Sequence, residues 1–177
     1  ELAGHAVTEL ATWGSWAAKY PGALGNGLQV HLASGGLTGA WDTWAYKSQF
    51  SAKPATSEYA EQVGAPTAGD EIHVVVVDGA GVFTAGTVLE TYEFLSQASN
   101  AKKSDGSSNY YADVVNKLSK YVWFMDHDSS LSDAGSVLEG DSTFTGDVVT
   151  SDTMTTGADD HSPSDGELQL ALDLFAD

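Results

Sequence analysis

Hydrophobic and polar positions along this chain form short strand patterns that alternate with short helix patterns. Alternating apolar residues predict a strand over residues 28–32, and a continuous β-branched run predicts a second strand over 72–77. Because this run is apolar at successive positions, we expect its strand to be covered on both faces. The compositions of residues 87–95 and 121–125 predict two further strands.

Three segments carry the period or the boundary signals of a helix. Apolar residues at i, i+3, i+4 and i+7 from Tyr111 predict a helix over 108–118. A second, short helix is predicted over 57–63, because Gly64 ends it and Pro66 makes its continuation costly. A Ser-x-x-Glu capping box begins a third helix, predicted over 164–176. Together with the strands, these helices predict an α+β fold in which a mixed β-sheet packs against a few helices.

Other segments are less clear from their pattern. In residues 1–20 the apolar residues Val7, Leu10 and Ala11 fit one face of a helix, whereas Trp16, Ala18 and Tyr20 alternate as in a strand. Residues 87–95 could also form a helix, because Glu90 and Glu93 could lie on its surface. An Asp-Gly pair at Asp78 predicts a hairpin turn. His73, a polar interruption of the apolar run, is predicted to lie near a sheet edge.

Residues 126–163 are rich in Asp, Ser, Thr and Gly and have little hydrophobic periodicity. Such a composition predicts a long irregular segment, which is typical of a functional insertion or a loosely ordered loop.

The charge of the chain is strongly negative. Its 177 residues are enough for one domain with its own core, and they contain 25 acidic residues against seven lysines and no arginine, a net charge of −18. A surface of this sign repels nucleic-acid phosphates and anionic lipid surfaces, so we expect no nucleic-acid binding. No apolar run approaches the roughly 18 residues needed to span a bilayer, so we expect no membrane insertion. The absence of cysteine excludes disulfides and thiolate metal sites.

Two clusters combine carboxylates with imidazole, the groups that hold hard cations or zinc. They are Asp126-His127-Asp128 and Asp159-Asp160-His161. Their spacing matches no familiar ion-binding loop, so we predict polar loops there, with a calcium-dependent module or hydrolase as the alternative. No nucleophile elbow, zinc-protease motif or phosphate loop is present in the sequence. We therefore expect no enzyme, no catalytic residue, no metal and no cofactor.

The tryptophans offer another alternative function. Trp41 and Trp44 lie close together in an aromatic segment, and aromatic side chains can line a glycan-binding groove. This would make the protein an acidic extracellular glycan-binding module. Tryptophan more often supplies core or interface area, which is the interpretation we favour here.

Several short motifs occur in an order that is similar to a known family. They are Lys-Tyr-Pro-Gly-Ala-Leu-Gly-Asn at 19–26, the run at 71–78, Gly-Thr-Val-Leu-Glu at 86–90, and the segments 107–116 and 165–177. In this order they resemble the middle domain of the tail sheath protein of contractile phages, the T4-like myoviruses. The resemblance covers residues 18–177 and is weakest over 126–163.

This resemblance implies a structural function. Residues 1–177 would be a single middle, outward-protruding domain of a sheath subunit, and the core domain and terminal arms would lie outside this chain. Family members form hexameric rings that stack helically around the tail tube. They assemble in the host cytoplasm and contract in the virion to drive the tube through the host envelope for genome ejection. The partners implied are other sheath subunits and, through the core domain, the tube.

We expect contacts between subunits to involve the polar surface loops at 101–106 and 126–163. The residues predicted to take part are Lys102, Lys103, Asp126, Asp128, Asp159 and Asp160.

Overall fold

A computed structural model describes residues 15–20, 22–35, 39–82, 84–144, 149–159, 164–166 and 169. The strands are β1 Trp16–Ala18, β2 Leu28–Ser34, β3 Glu71–Asp78, β4 Thr87–Ser96, β5 Val122–Phe124 and β6 Val149–Thr153. The helices are α1 Ala40–Thr43, α2 Glu58–Gln62 and α3 Tyr111–Leu118, with 3-10 turns at Gly22–Gly25 and Lys47–Gln49. The helix predicted over 164–176 falls largely outside the described residues.

Four strands form the central sheet, in the order β4-β3-β2-β6. These strands and the helices confirm the predicted α+β class. The pairings are all antiparallel, so the prediction of a mixed sheet was wrong. The strand predicted over 121–125 is also not in this sheet: β5 pairs with β1 in a separate two-stranded sheet, with Trp16 opposite Phe124. Local composition indicates a strand but not its partner.

One face of the central sheet carries the largest core cluster. Alternate residues of β2 and β3 point to this face and pack against α3, β1 and β5. Ring contacts join the layers: Trp16 meets Phe124 with centroids 5.5 Å apart, and Tyr111 meets Phe124 at 5.2 Å. Each fully buried aliphatic side chain contributes about 1.5–3 kcal/mol. The cluster therefore explains why a helix of only eight residues, α3, is held in place.

The opposite face of the sheet is covered by the aromatic segment 40–50. Val75 and Val77 point to this side and pack with Trp44, while Trp41, Tyr46 and Phe50 close over them. Both faces of β3 are thus buried, which confirms the prediction from its continuous apolar run.

His73 lies in the middle of the sheet rather than near an edge, so that prediction was wrong. The side chain is fully buried on the aromatic side, stacked on Phe50 with ring centroids 4.3 Å apart. Its Nδ1 accepts the Phe94 backbone N–H at 3.0 Å, so its Nε2 donates to the Ala52 carbonyl oxygen at 2.9 Å. A bulge in β4, where Phe94 has φ +51°, places that N–H within reach. A polar residue is stable here because both of its nitrogens have partners.

The two strands of the predicted hairpin are connected as expected. The Asp78 carboxylate accepts backbone N–H groups from Gly81 at 2.8 Å, Val82 at 3.0 Å and Thr84 at 2.6 Å. These bonds satisfy the amides of the turn and a buried carboxylate at the same time, and residues 87–96 return as a strand rather than a helix.

The segment 126–163 is less irregular than predicted, because it contains β6. This strand pairs with β2 at the sheet edge, and its residues alternate between exposed and half-buried. Backbone hydrogen bonds supply most of its attachment, so it has little hydrophobic signal. Among the helices in the described part of the chain, none has the length and apolar character needed to cross a membrane.

Candidate functional site

The loop that carries Lys102 and Lys103 is a defined turn. The backbone N–H of Lys103 donates to the Ser107 carbonyl at 2.9 Å, and Gly106 donates back to the Lys103 carbonyl at 2.9 Å. Asp105 accepts the N–H and hydroxyl of Ser107, and these bonds lower the pKa of its carboxyl group. Both lysine side chains are exposed, so their ammonium groups are presented to solvent on a fixed backbone.

Lys102 and Lys103 line a cleft of about 640 Å³. Its other charged residues are Glu58, Glu71 and Glu93. Burial raises the pKa of Glu71, although a hydrogen bond from the Ala55 N–H at 2.8 Å partly opposes this. The mixed charges of this cleft do not favour one ligand sign over the other.

Asp126 and Asp128 begin the loop that follows β5. Asp128 accepts hydrogen bonds from the Ser130 N–H at 2.9 Å and the Thr150 hydroxyl at 3.0 Å, and from the Ser130 hydroxyl. Burial raises the pKa of Asp128, but these hydrogen bonds outweigh it, and the pKa lies below its usual value. The carboxylate therefore ties the loop to β6.

His127, between these two aspartates, is held by two tyrosines. Its Nδ1 lies 2.7 Å from the Tyr111 hydroxyl oxygen and its Nε2 lies 3.1 Å from that of Tyr110. Burial lowers the pKa of His127, and burial also raises the pKa of each tyrosine, so all three groups are neutral at pH 7. Both imidazole nitrogens are engaged in the structure, which leaves neither free for a metal.

The last two predicted contact residues are Asp159 and Asp160. Asp159 accepts the Ala23 N–H at 2.8 Å, beside the loop that follows β1, and Asp160 lies outside the described residues together with His161. Within the described part of the chain, no group of three or more histidine or acidic side chains is arranged to hold a metal ion.

Trp44, one of the two tryptophans of the glycan-binding alternative, belongs to the core. Trp44 is only 6% exposed and stacks on Phe50 with centroids 5.6 Å apart and an angle of 12°. Trp41 is half-buried and contacts Trp44, Phe50 and His73. Replacing Trp44 by alanine would cost about 3–5 kcal/mol of core packing, so a loss of binding in that variant would not identify a site.

A surface that sequence reasoning missed lies at the C-terminal end of α3. The Lys19 ammonium donates to the Ser119 carbonyl at 2.6 Å and lies 3.7 Å from the centre of the Trp123 ring. Lys103 and Lys117 line one depression of about 200 Å³ together with Leu118. We call this surface the lysine–tryptophan face, and it consists of Lys19, Lys103, Lys117, Leu118 and Trp123.

One signal in the sequence indicates this face. Four of the seven lysines fall within residues 102–120, and residues 121–177 contain no lysine at all. Lys19 is 100 positions from Ser119, so its place in the face depends on the tertiary structure.

Comparison with known proteins finds a partial similarity. The chain is 38% identical over 42 residues to a protein of Salmonella phage ViI described as "Tail sheath protein". These residues make up 24% of this chain and 7% of that relative. No family model matches the chain.

Proposed function

We propose that this chain is part of a phage tail sheath subunit and has a structural function in the virion. The observation that carries the proposal is the 38% identity over 42 residues to a tail sheath protein. The ordered motifs of residues 19–26, 71–78, 86–90 and 107–116 support the same assignment.

The finer proposal is that the chain is the middle, outward-protruding domain of a T4-like contractile sheath. Subunits of this kind form hexameric rings stacked helically around a tail tube, assemble in the host cytoplasm and contract to eject the genome. Contraction would move this domain as a rigid body with an exchange of interfaces. The sheet buried on both faces supports rigid-body motion, because its packing resists internal deformation.

We also propose that the chain is not an enzyme. The side chains of Asp78, Asp128, His73 and His127 are used to hold loops and strands together. A mechanical domain needs stable packing and exposed contact surfaces. These four side chains contribute to stable packing.

Negative-stain electron microscopy of the full-length product of the parent gene tests this function. We expect hollow, cross-striated tubes of uniform width. Antibodies raised against the 177-residue chain should decorate the outer surface of these tubes, and the same antibodies pre-absorbed with the chain are the control. Dispersed compact particles at several salt concentrations would overturn the sheath proposal. Tubes that the antibodies do not decorate on the outside would overturn the proposal that the chain is the outward-protruding domain.

A further inference from the structure

Asn26 is followed by a glycine, and such a pair is chemically labile. The other three asparagines of the chain precede alanine, tyrosine and lysine, so Asn26-Gly27 is the one Asn-Gly pair in the sequence. Because glycine has no Cβ, it does not hinder the attack of its own backbone nitrogen on the preceding side-chain amide. That attack converts the asparagine into aspartate or isoaspartate. The fate of the pair therefore depends on how the fold holds both reacting groups.

The side-chain amide of Asn26 is held by Gly157, which lies 131 positions away along the chain. The Asn26 Nδ2 donates to the Gly157 carbonyl oxygen at 2.8 Å, and the Asn26 Oδ1 accepts the Gly157 N–H at 2.8 Å. We call these two hydrogen bonds the Asn26 clasp. An amide fits this position because it offers a donor and an acceptor side by side, as the backbone of Gly157 does.

The attacking group, the Gly27 backbone nitrogen, is held by the same distant segment. The Gly27 N–H donates to the Met154 carbonyl oxygen at 2.8 Å, and the Met154 N–H donates to the Leu28 carbonyl oxygen at 2.8 Å. We call residues 154–159 the strap, since they follow β6 and bind the loop before β2. Both reacting groups are thus engaged with the strap, and the reaction requires that the strap opens.

Close packing explains why glycine is needed on both sides of the clasp. A Cβ atom on Gly27 would lie 2.1 Å from the Cβ of Ala80, and one on Gly157 would lie 2.1 Å from the Gly22 carbonyl oxygen. Gly27 also has a φ of +82°. The clasp needs the amide and the turn needs the glycine, so the fold itself requires a labile Asn-Gly pair at this place.

Deamidation would remove the donor of the clasp. In aspartate an oxygen replaces the Nδ2, and a carboxylate oxygen cannot donate to the Gly157 carbonyl. The new charge would also repel a strap that already carries Asp159, whose carboxylate accepts the Ala23 N–H at 2.8 Å. Isoaspartate adds a carbon to the backbone as well, two residues before β2 begins at Leu28. Both products should therefore weaken the attachment of the strap.

We propose that Asn26 is a latent deamidation site, which the folded chain protects while the strap is attached and which reacts when the strap opens. The Gly27 nitrogen attacks the Asn26 Cγ, and a C–N bond forms. The Asn26 Nδ2 leaves as ammonia, with the proton that the Gly27 nitrogen loses. Water then opens the resulting succinimide at one of its two carbonyls and gives aspartate or isoaspartate. The proposal goes beyond the sheath assignment and does not rest on it.

Peptide mapping by mass spectrometry after incubation at pH 8.5 measures the reaction. In chain unfolded by guanidinium chloride, Asn26 should deamidate faster than the three asparagines that no glycine follows. In the folded chain the rate at Asn26 should be lower by about tenfold or more, and tenfold corresponds to about 1.4 kcal/mol for opening the strap. Equal rates in the folded and unfolded chain would overturn the protection. Slow deamidation of Asn26 in both would overturn the labile site.

Gly157→Ala opens the clasp without changing the Asn-Gly pair. Its methyl group does not fit against the Gly22 carbonyl oxygen, so the strap must move away from Asn26. The rate at Asn26 should rise toward that of the unfolded chain, while circular dichroism confirms that the variant is folded. The control, Gly166→Ala, makes the same change where the methyl group meets open space. The same rate at Asn26 in both variants would contradict protection by the clasp.

Asn26→Asp tests the consequence of the reaction without the reaction itself. Hydrogen–deuterium exchange should be faster in the strap and in residues 22–28, whereas β3 should keep the exchange of the wild type. The control, Asn116→Asp, adds the same charge at a side chain whose Oδ1 accepts the Phe124 N–H at 2.8 Å, a bond that aspartate keeps. Unchanged exchange in the strap of Asn26→Asp, or an equal increase in Asn116→Asp, would overturn the role of the clasp.

Discussion

His73 is a buried imidazole whose two nitrogens both bind the backbone. Burial lowers its pKa from 6.5, and the bond to Ala52 and the charge of Glu93 only partly oppose this. The bond from the Phe94 N–H requires an unprotonated Nδ1, so the neutral form is the one that fits the bulge in β4. A proton on Nδ1 would leave the Phe94 N–H facing a second donor.

Stability should therefore depend on pH through His73. The folded pKa lies below the unfolded value of 6.5, so the unfolded chain binds the proton first as the pH falls. The stabilisation is complete above pH 6.5 and is lost as the pH falls from 6.5 to the folded pKa, at about 1.4 kcal/mol per unit of difference. Urea unfolding at pH 7.5 and 5.5 measures this loss.

His73→Gln should reduce the difference between the two pH values, although the variant is less stable at both. Burial also lowers the pKa of His31 and of His127, so part of the pH dependence should remain in the variant. His127→Gln is the comparison, because it should keep the part of the pH dependence of stability that belongs to His73. An unchanged difference in His73→Gln would show that His73 does not carry the effect.

The loop between β5 and β6 is organised around His127. Tyr110 and Tyr111, at the start of α3, hold the imidazole, and Gly135 passes directly over it. A Cβ atom on Gly135 would lie 2.5 Å from His127 Nε2. The loop thus needs a glycine there for two reasons, its φ of +85° and the close approach of the ring.

Alanine substitutions at two glycines separate these reasons. Gly64 has a φ of +88°, close to that of Gly135, but open space where its Cβ would be. We expect Gly64→Ala to cost about 1–2 kcal/mol from backbone strain alone. Gly135→Ala should cost about 1–3 kcal/mol more, because His127 must also move. Chemical unfolding of both variants measures the difference, and equal costs would show that the loop accommodates the methyl group without strain.

The whole molecule carries its net charge of −18 on one short chain. Like charges in a compact state repel one another, and dissolved salt screens that repulsion over about 8–10 Å at physiological ionic strength. The folded state is more compact than the unfolded chain, so screening favours folding.

We therefore expect the melting temperature to rise by several degrees between roughly 0.01 M and 0.5 M sodium chloride. Differential scanning calorimetry at pH 7.5 measures this rise. Glu139→Gln with Asp141→Asn is the matched variant, since it removes two exposed charges at similar side-chain size. The melting temperature of this variant should be higher than that of the wild type at low salt, and it should rise less when salt is added. A melting temperature that falls with salt would contradict the repulsion argument.

Several elements were predictable because their own side chains specify them. The run in β3 is apolar at successive positions and became a strand buried on both faces. Of the i, i+3, i+4 and i+7 positions in α3, Tyr111, Val114 and Val115 are buried as predicted, whereas Leu118 is 56% exposed. The helix also begins at Tyr111 rather than Ser108. Ser57 caps α2 with a bond from the Ala60 N–H, close to the predicted start.

Other elements were not predictable because their partners decide them. β6 is a polar edge strand held by backbone hydrogen bonds to β2, so its side chains carry little signal. β1 lies in a segment with mixed patterns, and its pairing with β5 joins positions more than a hundred residues apart. The subunit-contact residues stay a prediction, since spacing along the chain does not determine distance in space.

The sequence by itself determined the α+β class, the strands β2 and β3, two helices and the negative charge, and it left β4 with a helical alternative. Each of these depends on local periodicity, on turn residues or on composition, which are properties of short segments. Only the tertiary structure decided the strand partners, the burial of His73 and Trp44, and the position of Lys19 over the Trp123 ring. Those features depend on which distant segments pack together, and long-range packing has no period that one segment can display.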